Sequence, residues 1–266
     1  MVVRGEVGIS QRRERRVKDC GEQTRMERRS RTLELPVVKA WGLLPPVQHA
    51  RKLGLRIAPL LRHANLPANF GEDPAAIVPL VHWHALYDRL VRETGIGDLG
   101  WEVGINNPLS AFGREFTQGI ASAPTLYQAF RFISHFGARH CSNHHLSVRL
   151  RGDYGYVMHS VGGDHSPGAG QRSIERAASA VLVIREFLGN DWQPDVVAVN
   201  AAQSEIPSDE SLGGIRMLCR RGHDLVVRLP RAALAARRRS RITSNADYGD
   251  PIPTDFLGRL KLVLAP

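Results

Sequence analysis

Residues 120–136 read IASAPTLYQAFRFISHF, and the stretch changes character at its middle. Small residues run up to Pro124, and then Leu126, Ala129, Phe130 and Ile133 recur at helical spacing. Thr125 stands three positions before Gln128. This is a capping-box arrangement: the threonine hydroxyl can accept the Gln128 backbone N–H, and the glutamine side chain can reach back. The segment is predicted to be an amphipathic helix with a fixed start.

The neighbours set the fold class. After this helix comes HLSVRLRGDYGYVMHSV (145–161), where Leu146, Val148 and Leu150 alternate with polar residues and RGDYG supplies a turn. That pattern predicts a β-hairpin. QRSIERAASAVLVIREFL (171–188) places Ile174, Ala177, Ala178, Val181, Leu182 and Phe187 largely on one face and predicts the strongest helix of the chain, ended by Gly189 and Pro194. DVVAVNAA (195–202) and HDLVVRLP (223–230) are expected as strands, with a short helix over 208–218 between them and a helix start at RAALAARRRS (231–240). Upstream, Leu60 and Leu61 lie on a helix expected to stop near Asn65, and Asp73-Pro74 is a turn. Val81, Ala85, Leu86, Leu90 and Val91 mark a longer helix ending at Gly95. Residues 97–119 are broken by glycines and are expected to be loop-rich or half-helical, with LGWEVG (99–104) as a helix end or short strand. Together these elements predict an α+β fold: N-terminal helices, then a mixed helix/strand domain around a small, largely antiparallel sheet.

Composition narrows the setting. At 42% hydrophobic residues the chain of 266 can build a real core, and no apolar run nears the ~20 residues needed to cross a bilayer. The arginine-rich start lacks the apolar stretch of a secretory signal. Cys20, Cys141 and Cys219 are odd in number and far apart, which suggests neither a disulfide framework nor a cysteine zinc site. A reducing cytoplasm is the expected location. The net charge of +10 is unevenly spread: residues 1–32 contribute +5, RLPRAALAARRRSR (228–241) contributes +6, and the rest is near neutral at −1. Such placement fits solvated arginines rather than an ordered basic face for nucleic acid. Residues 1–36 are expected to be a disordered basic extension without a sustained apolar period.

Three pieces in order carry a resemblance: the leucine-rich helix leading to GEDPAAIVPL, then FGREFTQGIASAPTLYQAFRFISHF, then FLGNDWQPDVVAVNAAQ followed by GHDLVVRLPRAALAAR. Over roughly residues 45–240 the chain resembles the N-terminal, arabinose-binding-type domain of one branch of the AraC-family transcriptional regulators. The resemblance implies a domain over 37–241 that senses a small effector and helps to form a homodimer, not an enzyme. It departs from the family at Cys219-Arg220-Arg221, where members usually carry a phenylalanine just before the last strand. It also implies that two helix-turn-helix units should follow. The sequence ends at DFLGRLKLVLAP, so residues 242–266 are expected to be a linker remnant and the chain a truncated regulator that does not bind DNA alone.

The sequence also holds candidate residues for other chemistries. HFGARHCSNHH holds His135, His140, Cys141, His144 and His145, all competent ligands for zinc or copper. Yet His135 and His140 are five apart on a helix, and adjacent His144 and His145 face opposite ways at a strand start. In HWH (82–84) the spacing separates the rings. These histidines are expected as cap, surface and partly buried groups, with no metal site and no cofactor assigned. GGDHSPGAGQRS, with Asp164, His165 and Ser166, lacks the phosphate-loop spacing and is expected to cap the long helix through Ser173 or a neighbour, with an anion at that N-terminus as the lesser possibility. No catalytic set emerges. Trp83, Tyr87, Phe130, Phe136, Tyr154, Tyr156 and Trp192 are expected largely in the core. An effector pocket would be apolar with a few placed polar groups, its walls drawn from the capped helix and the hairpin. The competing readings are a histidine-rich metal-binding protein or enzyme, and an interaction module that pairs with a full-length regulator.

Overall fold

The computed structural model describes residues 36–161, 166–221 and 224–238, with residues 258, 261 and 263 beyond them. The expectations for the basic extension and the linker remnant fall almost wholly outside the described residues. The fold is α+β. A two-stranded antiparallel ribbon pairs β1 (Val37–Lys39) with β2 (Ile77–Pro79). A five-stranded sheet has the order β3 (His145–Arg151), β4 (Tyr154–Ser160), β7 (Leu225–Pro230), β5 (Val196–Val199), β6 (Met217–Cys219). Only the β5–β6 pair is parallel. The helices are α1 (Leu44–Lys52), α2 (Ile57–His63), α3 (Leu80–Thr94), α4 (Leu99–Ile105), α5 (Gly113–Ser122), α6 (Leu126–His140), α7 (Ala169–Leu188) and α8 (Asp209–Leu212).

Local chemistry explains most of the boundaries. Pro45 and Pro46 open α1, where their missing N–H groups and fixed φ are harmless. α3 stops where Gly95 turns left-handed at φ 70° and its N–H returns to the Val91 carbonyl. At the head of α6 the Thr125 hydroxyl accepts the Gln128 N–H at 3.4 Å, and Leu126, Ala129 and Phe130 are buried. The hairpin forms as predicted, and its register sets Val148 opposite Val157 and Arg151 opposite Tyr154.

α7 is the axis of the domain. Ile174, Val181, Ile184 and Phe187 are fully buried, each worth about 1.5–3 kcal/mol over leaving it exposed. Its first half is enclosed on all sides, so Gln171, Arg172, Ser173 and Glu175 are buried as well. That enclosure comes from α4. A Cβ on Gly100 would collide with the Gln171 carbonyl oxygen, and one on Gly104 would lie 2.5 Å from the Glu175 oxygen and 2.7 Å from Ala178 Cβ. The two glycines, four apart, let the helix backbones touch.

Four expectations are corrected. Residues 97–119 are mostly helical (α4, a 3-10 turn at Leu109–Phe112, and α5), because Gly100, Gly104 and Gly119 serve close packing inside helices and only Gly97 and Gly113 lie at turns. The helix expected over 208–218 closes after one turn at Gly213, and Met217–Cys219 instead becomes a strand beside β5, with Val197 opposite Met217. Ser173 does not cap α7; it lies inside the first turns, buried, after a left-handed Gly168. Tyr154 is not core either. It is 37% exposed on the outer sheet face, with the Arg228 guanidinium 4.8 Å from its ring centroid.

Candidate functional site

α6 presents Phe130, Ile133, Gly137 and His140 along one face, with Phe136 beside them. Opposite, α7 offers the small side chains of Ser179, Ala180 and Val183, with Glu175 and Arg176 at one end. Large rings facing small side chains leave space. The result is a cavity of about 150 Å³, closed below by Leu146, Val157 and Leu225 of the sheet and above by Val38, Trp41 and Gly42. Its aromatic wall is continuous: Trp41 meets Phe112 at 5.7 Å between ring centroids, Phe112 meets Phe116 at 4.8 Å, and Phe116 meets Phe136 at 5.3 Å. The walls thus come from the capped helix and the hairpin, together with α7 and the N-terminal ribbon.

One end of the cavity is polar. Arg176 donates from Nη1 to His159 Nε2 at 3.1 Å, and its guanidinium carbon lies 5.7 Å from the Trp83 ring centroid. His144 and His159 have ring centroids 4.6 Å apart. Glu175 lies beside the Tyr87 hydroxyl, and burial pushes its carboxyl up to about 7 against the opposing pull of Arg176. Burial, reinforced by Arg176, lowers His144 to about 3. The same causes hold His159 well below the ordinary histidine range, so both rings are neutral. Burial also raises the Cys141 thiol, which argues against a reactive thiolate.

Behind this end runs a hydrogen-bonded network centred on Arg172, whose Nη1 alone is buried without a partner. Arg172 Nε donates to His84 Nε2 at 2.8 Å, which leaves the His84 proton on Nδ1, 2.7 Å from Ser166 Oγ. Arg172 also pairs with Asp224 at 3.2 Å, and the same Asp224 oxygen accepts the Val161 N–H at 2.9 Å. The guanidinium carbon of Arg172 lies 5.9 Å from the Trp83 ring centroid, so the buried Arg172 and the half-buried Arg176 flank one indole.

The structure separates most of the histidines singled out from the sequence. His135 is exposed and bonds its own helix at the Arg131 carbonyl, 2.7 Å away. His145 is exposed at the start of β3. His140 is buried between Phe136 and Trp41 and stands 3.6 Å from Glu115. Only His144 finds another imidazole, and that is His159. Among the described residues no three His, Cys, Asp or Glu side chains are grouped to hold a metal ion. Asp164 and His165 lie outside the described residues. The N-terminus of α7 already faces a carboxylate of the chain itself: a Cβ on Gly170 would strike Glu205. Sequence reasoning missed Glu175, Arg176 and His159. The only signal for Glu175 and Arg176 was charge on the inner face of a helix read as amphipathic, and His159 stood only as one residue of the predicted hairpin.

The comparisons with known proteins bear on this architecture. Residues 54–213 match the family model described as the arabinose-binding domain of AraC transcription regulator, N-terminal. The chain belongs to this family. Among solved structures, the transcriptional regulator CdpR from Pseudomonas aeruginosa shares the fold with a TM-score of 0.53 at 14% identity, over 76% of this chain and 58% of that one. The chain therefore spans less than two thirds of the CdpR chain. No curated protein sequence matches it. In this arabinose-binding-type domain no described helix is long and apolar enough to cross a membrane.

Proposed function

We propose that the chain is the effector-sensing and dimerisation part of an AraC-type transcriptional regulator, that it acts in the cytoplasm without catalysis, and that a small molecule occupies the cavity between α6, α7 and the hairpin. The observation that carries this reading is the aromatic cavity with one polar end inside a member of a regulator family. A pocket of that make-up is what small-ligand sites have in common.

The hydrogen bonding suggests how occupancy would be reported. At its C-terminal end α6 is tied to the ribbon: the Ser142 N–H donates to the Val37 carbonyl at 2.9 Å, and the Val37 N–H donates to Ser142 Oγ at 2.7 Å. At its N-terminal end the Leu126 N–H donates to the Ala236 carbonyl at 3.0 Å. A ligand pressing on Phe130 and Phe136 strains a helix whose head holds the segment at 236–238. That segment would carry the signal onward by favouring one of two arrangements.

Thermal-shift measurements with small aromatic compounds test the cavity. Ala180→Leu should fill it and abolish the response while leaving the unliganded melting temperature nearly unchanged. An equal response from wild type and Ala180→Leu would remove the cavity from the account. Sedimentation equilibrium tests the dimer, and a monomer at every concentration, with and without ligand, would refute that part.

A further inference from the structure

The polar end of the cavity is unbalanced, and the imbalance points to the chemistry of the ligand. Arg172 and Asp224 are paired and cancel. Arg176 has no such partner: it bonds a neutral imidazole, and among the described residues no carboxylate forms an ion pair with it. Its Nε is buried without a hydrogen bond, as is Trp83 Nε1. His159 adds a third donor. Its Nε2 accepts from Arg176, so its proton lies on Nδ1, which is also buried and unbonded. One oxygen of Glu175 is an orphan acceptor, the unbonded Tyr87 hydroxyl and His144 Nδ1 can act either way, and Arg172 Nη1 is a further orphan donor. Donors and positive charge are in excess, and orphan donors at such an end cost free energy until something accepts from them.

The rest of the chamber is the reverse. Rings and aliphatic groups dominate its lining, with Asn107 and Ser179 too few to satisfy the several hydroxyls of a sugar. Its volume of about 150 Å³ is that of an apolar cavity able to take a single aromatic ring.

We propose that the cavity takes a small apolar monocarboxylate, its ring or branched body among Phe112, Phe116, Phe130 and Phe136 and its carboxylate turned to Arg176. This rests on the cavity being the effector site and names the ligand class for it. Guanidinium and carboxylate form a charge-assisted pair, and burial strengthens it. The groups facing Glu175 make the pairing sensitive to pH. Tyr87 lies on α3, Arg172 and Arg176 on α7, and Asp224, Cys141, His144 and His159 close the same end. Of these, Glu175 is the group poised near neutrality, so an arriving anion favours its protonated form. Affinity rises as pH falls through about 7 while the ligand stays ionised.

Calorimetric titration of the full chain tests this with matched probes: benzoate and phenylacetate, their uncharged amides, and L-arabinose. Wild type should bind the acids at least about tenfold more tightly than the amides, a gap of about 1.4 kcal/mol, and should not bind the sugar. Arg176→Gln should bring the acids down to the level of the amides and leave amide binding unchanged, while Arg176→Lys keeps part of the preference. Glu175→Gln should flatten the pH dependence. Acids no tighter than amides, or sugar competing with the acids, would overturn the proposal. Amide binding that Ala180→Leu abolishes, with no preference for acids, would leave the cavity reading standing and remove this one. Binding by neither acids nor amides would remove both. Should Arg176→Gln not fold, the Lys variant and the pH profile decide: an unchanged acid-to-amide ratio in the one and a flat wild-type profile in the other refute the pairing.

Discussion

The two glycines of α4 make a sharp test of how Glu175 and Arg176 are held. In Gly104→Ala the added methyl would lie 2.5 Å from the Glu175 carbonyl oxygen, about 1 Å inside ordinary van der Waals contact. The obstacle is helix backbone, which cannot rotate away, so α4 and α7 must separate. Overpacking of this kind costs about 1–3 kcal/mol. Alanine in a helix recovers about 1 kcal/mol over glycine, which offsets part of the loss. The net expectation is about 1–2 kcal/mol of destabilisation for Gly104→Ala. Gly100→Ala should cost more, because its methyl would collide more severely with the Gln171 carbonyl. The double variant should cost less than the sum, since helices already parted by one methyl accept the second cheaply. Urea unfolding reads this directly: with a slope of about 2 kcal/mol/M, the midpoint drops by about 0.5–1 M for Gly104→Ala. If either variant were instead more stable than wild type, the propensity gain would be acting alone, and the close approach of α4 to α7 would be refuted.

Three further outcomes are expected. Thr125→Ala should cost about 1 kcal/mol through the lost cap, and Phe130→Ala about 3–5 kcal/mol through the buried ring; equal small losses in denaturation would show that α6 is not packed against the cavity. Asp224→Ala should cost about 3–5 kcal/mol by stranding Arg172, and adding Arg172→Met should recover a large part, which a double-mutant cycle measures. Glu175 is raised from 4.5 to about 7, so between those values the folded state holds a proton the unfolded state has released, and its contribution to stability falls as pH rises, then levels off above about 7. The neutral His144 works in the opposite sense over pH 3 to 6.5, so the difference between wild type and Glu175→Gln isolates the carboxyl; a difference that does not change between pH 5 and 8 would contradict the raised value.

What the sequence made legible is what local chemistry determines. Thr125 and Gln128 are three residues apart, and their bond needs nothing else in the molecule. The RGDYG turn fixed the hairpin register for the same reason, and the periodicity of 174–187 marked the buried face of α7. Features set by distant contact were not legible. Gly100 and Gly104 looked like helix breakers because their reason lies in α7, some seventy residues on. Met217–Cys219 looked helical because the strand it joins, β5, precedes it by about twenty residues and runs parallel. The candidate site suffered most. His144 was visible, but His159 reaches it only through the pairing of β3 with β4. Arg172, Glu175 and Arg176 look like an ordinary solvated edge of an amphipathic helix until α3 and α4 close over them.

The apolar chamber between α6, α7 and the hairpin can be probed without any effector. Xenon is the plainest probe of it, since it enters apolar cavities without needing the polar end. A crystal pressurised with xenon should show an ordered atom among Phe130, Phe136 and Val183, absent from Ala180→Leu crystals. Xenon found only elsewhere, or density there that survives the leucine, would contradict the existence of this chamber.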